Sequence, residues 1–533
     1  MTAGTHPAVE SGPDEPSVDA TTAARRSVRT GLAGLAGAAA NGLLGFLLVV
    51  VITRGYGTVG SGTFFTAVGI VTVTAAVCTL GAETGLIWML PRRRLGGRGD
   101  AARVLPVALL PPLAAAVVVG LVGVVAAGAL GPRLLGAGAD VGGTPLIAAS
   151  FAAVPLVVAM TLLLAVVRCV RPIRAYVGVQ SVLVPVARPV LVGVAAVAGG
   201  GVLLGLTGWL VPAALAVGVC LALVTGPLGV GRGAALRPER ADWSAFWRFA
   251  LPRAASAAID ASAVWVGVLL TSVLAGQADA GVFGAVGRYI LAGQLAMQGL
   301  RVAVSPQLSR LLGRGERAAA AAVHRHLTSW ALVLSWPVYL LLAVFGLGFL
   351  ELFGPEFTVG ATAMTVLALA MLVNTGVGNV QSLLLMGGRS GLHLTATVTG
   401  LLVTVSLGLW LIPVYGVTGA AVAWAAGIAT ENLVAFGCAR AVLGQPLLDT
   451  TLLRAAAGVV VGVGVASLAG VLAGGRGIPG LVVALSVLAV GCVGVVTVPD
   501  VRRFVRVTMS QLRGDVEVAS AAAGATSTSS KGR

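Results

Sequence analysis

Residues 250–276 read ALPRAASAAIDASAVWVGVLLTSVLAG, an apolar run longer than the roughly 20 residues a helix needs to cross a bilayer. Asp260 falls about three helical turns into it. Whether that acid sits in a water-facing groove or in hydrocarbon depends on the solvent of the whole chain, and composition answers this. Of 533 residues, 57% are hydrophobic and 10% charged, and the mean hydropathy is +0.98. Soluble domains carry about 25% charged residues. The run is therefore read as a transmembrane helix in a multi-pass, all-α membrane protein.

The net charge of +16 then reports orientation in a membrane rather than nucleic-acid binding. With the N-terminus inside, fourteen spans leave 29 of the 35 basic residues in cytoplasmic segments. Three lie outside (Arg54, Arg133, Arg476) and three within spans (Arg188, Arg288, Arg301). Both termini are thus expected in the cytoplasm. Lys531 is the single lysine, and the bias toward Arg, Ala, Gly and Val matches a GC-rich bacterial genome, which points to a bacterial cytoplasmic membrane.

The chain divides into a cytoplasmic tail (1–29), six spans (30–228), a basic linker (229–249), six spans (250–442), two further spans (443–498) and a cytoplasmic tail (499–533). The Ala/Ser/Thr-rich end from about 515 has the composition of a disordered segment. A shift of 219 residues sets Asn41 on Asp260, Gly62 on Gly281 and Phe64 on Phe283, so that GTFFTAVG (62–69) meets GVFGAVG (281–287). Six spans separate the copies, so both enter the membrane in the same direction. That is a parallel repeat, with a pseudo-two-fold axis along the membrane normal.

Ionisable groups inside a span cost about 2.5–3.5 kcal/mol each at mid-membrane, so each requires a partner, water or a function. Arg253, Ser256, Asp260 and Thr271 share one stripe of span seven with Val264 and Gly267, and the corresponding stripe of span one is Gly34, Gly37, Asn41 and Gly45. In span eight Gln294, Gln298 and Arg301 cluster on one face while Arg288 points elsewhere. Arg188, Glu431 and Glu83 complete the set, and Arg253 is placed to snorkel to the inner interface. Two readings stay open. The charges are structural pairs, such as Asp260 with Arg301 or Arg253, or they line a substrate pathway.

Other chemistries lack their residues. The five cysteines show no CxxC spacing, and the chain has no HExxH, GxSxG or GxxxxGK[ST] motif. Neither a disulfide framework, a zinc site, an ATP-driven pump nor an enzyme is expected, and no cofactor.

The stretches VITRGYGTVGSGTFFTAVGI (51–70), LGAETGLIWMLPR (80–92), GVFGAVGRYI (281–290), VSPQLSRLL (304–312), LFGPEF (352–357), LLLMGGRS (383–390) and LIPVYGVTGAAVAWA (411–425), in this order, resemble the polysaccharide (O-antigen type) flippases of the MATE-like superfamily. The resemblance covers about residues 25 to 445. It implies two six-helix lobes that alternate access to a central cavity between spans one, two, seven and eight. It further implies that the substrate is a polyprenyl-pyrophosphate-linked oligosaccharide bound by cavity arginines. Arg288, Arg301 and Arg188 occupy suitable positions, with Asn41, Gln294 and Gln298 as further cavity groups. Asp260, Glu83, Arg253 and Glu431 are then coupling or ion-pair residues, with the coupling ion open between Na+ and H+. Partners would be membrane lipids and the polymerase or glycosyltransferases of polysaccharide assembly. The Arg-Asp signature of lipid II flippases near the end of span one is missing, since ITRG supplies only Arg54. A lipid II-type or drug/cation exporter of the same superfamily, and a non-transporting scaffold, are the alternatives.

The topology is open to direct measurement. In a background freed of the five native cysteines, Thr144→Cys and Gly475→Cys should react with an impermeant thiol reagent applied from outside, and Gly96→Cys should not. The reverse labelling pattern would overturn the orientation.

Overall fold

The computed structural model describes residues 18–94, 98–136, 143–228, 238–294, 297, 308, 311–378, 380–444 and 450–497. Among these the chain is helical and contains no strand. The elements are α1 (Val18–Cys78), α2 (Ala82–Arg94), α3 (Arg98–Leu135), α4 (Gly143–Ala152), α5 (Val154–Val170), α6 (Ile173–Val177), α7 (Val184–Val197) and α8 (Val202–Leu228). They continue with α9 (Arg240–Ala275), α10 (Gln277–Gly293), α11 (Arg317–Val344), α12 (Gly346–Glu351), α13 (Ala361–Val377), α14 (Val380–Met386), α15 (Ser390–Leu443), α16 (Thr450–Gly474) and α17 (Ile478–Thr497). Gly37–Leu488 forms one compact unit. The described ends, Val18–Ala36 and Ala489–Thr497, group separately and are helical.

Ten helices among the described residues are long and apolar enough to cross a membrane. Two of these contain a non-helical glycine, Gly57 in α1 and Gly416 in α15, at which two helices join end to end. Large apolar side chains such as Val125, Val197 and Leu472 stay exposed, as expected where the surrounding solvent is hydrocarbon.

Two boundaries differ from the sequence reading. Helix α1 begins at Val18, inside the expected polar tail. Helix α9 begins at Arg240, so the last ten residues of the expected linker are helix. A reciprocal capping box starts it, with the Glu239 side chain on the backbone of the first turn and the Glu239 N–H donating to Asp242 Oδ2 at 3.2 Å. Its first turns bury Phe246 and Ala250 in a core made by α2, α3, α5, α7 and α8. The expected disordered segment from about 515 lies outside the described residues.

A second core draws on both repeat halves, with Phe64, Phe65 and Trp209 from one and Phe283, Tyr289, Tyr339 and Trp424 from the other. Lipid tails are as apolar as leucine, so helices in a bilayer associate through close packing rather than through exclusion of water. The closest packing is at Gly62 and Gly281. A Cβ on Gly62 would lie 1.7 Å from the Gln277 carbonyl oxygen and 2.9 Å from the Gly281 nitrogen. One on Gly281 would lie 2.2 Å from the Thr58 carbonyl oxygen and 2.9 Å from the Gly62 nitrogen. Thr58 and Gln277 are themselves 219 apart, so each glycine packs on the carbonyl four residues before the other. The turns just before it also match: Gly57 has φ 65° and ψ −169°, and Gly276 has φ 94° and ψ 178°, a region open to glycine and strained for other residues.

Polar contacts secure the same junction. Gln277 Nε2 donates to the Leu134 carbonyl and to Ser272 Oγ, each at 2.8 Å, and Thr66 Oγ1 donates to Gln277 Oε1 at 3.2 Å. Arg54, one of the three arginines expected outside, donates from Nε to the Leu352 carbonyl at 3.0 Å and from Nη2 to the Glu351 carbonyl at 2.9 Å. These two bonds tie the middle of α1 to the last residue of α12 and the one after it.

Gly62→Ala should lower the melting temperature of the detergent-solubilised protein, at a cost of about 1–3 kcal/mol typical of overpacking. Gly45→Ala, with nothing within 4 Å of its added Cβ, should leave it unchanged or slightly raised. Equal melting temperatures for the two variants would remove the Gly62–Gly281 contact as a determinant of packing.

Candidate functional site

Helices α9 and α10 bound a cavity of about 190 Å³ lined by Val264, Trp265, Gly287, Arg288 and Leu291, with Phe65 of α1 facing them. Arg288 is half-buried, its guanidinium 5.8 Å from the Trp265 ring centre. Arg188 approaches from the other half, on α7, just after a π-helical segment at Gly178–Leu183; such segments recur at functional sites. Its guanidinium lies 4.0 Å over the Trp209 ring, and Nε donates to the Trp209 carbonyl at 3.3 Å. The two arginines are within electrostatic reach of one another. Neither makes an ion pair among the described residues. Like charges brought together in a low-dielectric setting repel strongly, and the two indole faces offset part of that cost.

The acids lie elsewhere. Asp260 is exposed and has His393 Nε2 of α15 at 3.9 Å, while the imidazole itself is buried. Glu431, also on α15, accepts from Gln381 Nε2 at 2.7 Å and from Thr397 Oγ1 at 3.3 Å, and it feels the charges of both Asp260 and His393. His393 Nδ1 is buried without a hydrogen-bond partner. Close by, Asn432 Nδ2 donates to Asn374 Oδ1 at 2.9 Å, and the Asn374 and Gln294 amides both reach Met371 Sδ. Asp260 and His393 thus lie together, with Glu431 within electrostatic reach of both.

The polar stripe expected on span seven is split by packing. Thr271 donates to the Gly267 carbonyl and is buried, and Gly267 abuts the Phe283 ring. Asp260 and Arg253 remain exposed at the other end. The expected partnership of Asp260 with Arg253 is not formed: Arg253 lies over the Phe249 ring at 4.0 Å and donates to the Phe249 carbonyl. Arg301 and Gln298 lie outside the described residues. Glu83, in the first turn of α2, is within electrostatic reach of Arg168 and Tyr176. Asn41 is exposed on α1 and makes no hydrogen bond among the described residues. His393, Gln381, Thr397, Trp209 and Arg168 were not anticipated. The His393–Thr397 spacing of four in LHLTATVTG, one polar face in an apolar run, was the available signal.

No family model matches the chain, and no curated protein does. Solved structures do. A lipid II flippase, MurJ, in an inward closed conformation superimposes with a TM-score of 0.67 at 10% identity, covering 87% of this chain and 97% of that one. A multidrug-resistance MATE transporter of the MOP superfamily, inward-facing, gives 0.60 at 17% identity over 76% and 94%. A MOP-superfamily transporter from Pyrococcus furiosus gives 0.54 at 17% over 79% and 96%.

The chain shares the fold of these structures. At these identities the likeness is one of architecture, and the cavity arginines and the Asp260–His393–Glu431 group are described from this chain alone.

The hydrogen bonds to Glu431 are directly testable. Glu431→Leu removes the acceptor of the Gln381 amide, while Thr397 Oγ1 keeps the His393 carbonyl at 3.1 Å, and should cost about 1–3 kcal/mol in thermal unfolding, the penalty of leaving a part-buried donor unpaired. Glu431→Gln should cost less. An unchanged melting temperature in the leucine variant would show that water satisfies this donor equally well.

Proposed function

We propose that this chain is a membrane transporter that flips a polyprenyl-pyrophosphate-linked oligosaccharide, a cell-surface polysaccharide precursor, from the cytoplasmic to the outer leaflet by alternating access. The observation that carries the reading is the meeting of Arg188 and Arg288, one from each half, with no ion-pair partner among the described residues. Two neighbouring guanidiniums are poor company for each other and good company for an anion with two or more charges. Each guanidinium presents a planar fork of donors that a pyrophosphate oxygen pair matches bidentately. Arg301 is assigned to the same anion site from its place in the sequence. A drug or cation exporter would gain nothing from paired cations at this point, and a scaffold would not need to bear their repulsion.

The Asp260–His393–Glu431 group serves as the coupling site, with a proton as the coupling ion. The imidazole beside Asp260 supports this choice, because histidine takes up and gives away a proton near neutral pH with small changes of surroundings. A lipid II-type substrate shares the polyprenyl pyrophosphate and would use the same arginines. The length of the match to MurJ keeps it as the second reading.

Reconstitution in liposomes with a fluorescent polyprenyl-pyrophosphate sugar tests both parts. Arg188→Ala, Arg288→Ala and Arg301→Ala should nearly abolish flipping while membrane insertion persists, and the corresponding lysine variants should retain part of it. Asp260→Asn and His393→Gln should flatten the dependence on a pH gradient more than they weaken substrate binding. Wild-type rates in all three alanine variants would remove the anion site.

A further inference from the structure

A second basic site lies well away from the cavity, where α2 meets the first turns of α9. The Trp88 and Phe249 rings stack with centres 4.3 Å apart and planes inclined by 12°. They wall a hollow of about 410 Å³ completed by Ser244, Ala245, Arg248 and Arg253. Arg92 stands 4.9 Å from the Trp88 ring centre and donates to the Trp88 carbonyl, and Arg253 stands 4.0 Å from the Phe249 ring centre and donates from Nη1 to the Phe249 carbonyl at 3.2 Å. Each fork is thereby held over an aromatic face with donors to spare.

The acids of this region are already taken. Asp242 pairs with Arg93, and Glu239 pairs with Arg103 at 2.9 Å. Arg92, Arg248 and Arg253 make no ion pair among the described residues, and all three are exposed. The neighbourhood therefore separates into basic residues that lock α9 onto α2 and α3, and others of which Arg248 and Arg253 line the aromatic-walled hollow.

We propose that this hollow binds the phosphate headgroup of an anionic membrane phospholipid. The guanidiniums of Arg248 and Arg253, with no ion pair among the described residues, select an anion, and arginine suits phosphate because its fork meets two oxygens at once. The indole and phenyl rings select a lipid over a free ion. An aromatic pair offers apolar surface to the glycerol and upper acyl region, and tryptophan favours the membrane–water boundary. The hollow is open on its flank, which leaves an exit for acyl chains, and exposed arginines in water would hold a small soluble anion weakly. A basic pocket between helices at this boundary is a setting in which anionic headgroups are held. The bound headgroup bridges α2 and α9, and the site is independent of whatever the central cavity transports.

Native mass spectrometry and thermal unfolding of the full-length protein in a zwitterionic detergent supply the test, with phosphatidylglycerol, phosphatidylcholine and inorganic phosphate as probes. Phosphatidylglycerol should be retained and should raise the melting temperature, while phosphatidylcholine and inorganic phosphate should do neither. The double variant Arg248→Gln/Arg253→Gln should weaken retention at least about tenfold, the scale of one lost charge-assisted hydrogen bond. Arg248→Gln, whose side chain makes no hydrogen bond among the described residues, should weaken it without disturbing the fold, and it decides the matter should the double variant not fold. Arg440→Gln, distant from the hollow on α15, should retain the lipid as wild type does. Equal retention of the two lipids, unaltered retention in Arg248→Gln, loss of equal size in Arg440→Gln, or tight binding of inorganic phosphate alone would each overturn the proposal.

Discussion

The back-to-back contact of Gly62 and Gly281 is the constraint on which the arrangement of the halves depends. Helix backbones this close leave room for no side chain at either position, and in hydrocarbon such proximity is the main source of attraction between helices. Because each glycine meets the carbonyl four residues before the other, neither half can shift along the contact without losing both sides of it. Around it, the amide of Gln277 and the guanidinium of Arg54 donate to the backbone carbonyls of Leu134, Glu351 and Leu352.

The charges within the spans are sorted by sign. Had they been there to hold helices in register, the least costly arrangement would join each arginine to an acid, because an ion pair in a low-dielectric interior survives only with excellent partners. Instead Arg188 and Arg288 each lie by a tryptophan ring within electrostatic reach of one another, while Asp260 contacts His393 with Glu431 in electrostatic reach of both. That separation leaves one site short of negative charge and another short of positive charge. The proposed function gives each deficit a transient ligand, an anion at one and a proton at the other.

Much of this was readable from the residues. The shift of 219 brought Gly62 and Gly281 into register, and glycine at both positions is what a close crossing demands. Arg188 and Arg288 stood out because a charge in an apolar run is costly. The Asp260–His393 contact was not readable, since the two residues are more than a hundred positions apart and His393 sits near a predicted helix end, where a histidine attracts no notice. The early start of α9 escaped for a related reason. Hydropathy marks where a helix becomes apolar, whereas the capping box at Glu239 and Asp242 begins it in polar sequence. Arg301 and Gln298 fall outside the described residues, so their place rests on sequence alone.

Helix α9 has mechanical consequences. Its 36 residues make a rod about 54 Å long, seated at one end in the core around Phe246 and at the other beside Gln277 and the Gly62–Gly281 crossing. Such a rod is a lever between its two seats. Over its length a tilt of about 10° corresponds to about 9 Å, so the core around Phe246 and the ion pairs of Asp242 and Glu239 fix the angle at which α9 reaches the crossing. Pro252, which removes a hydrogen bond within the helix, sets the position where the lever can flex instead of tilting.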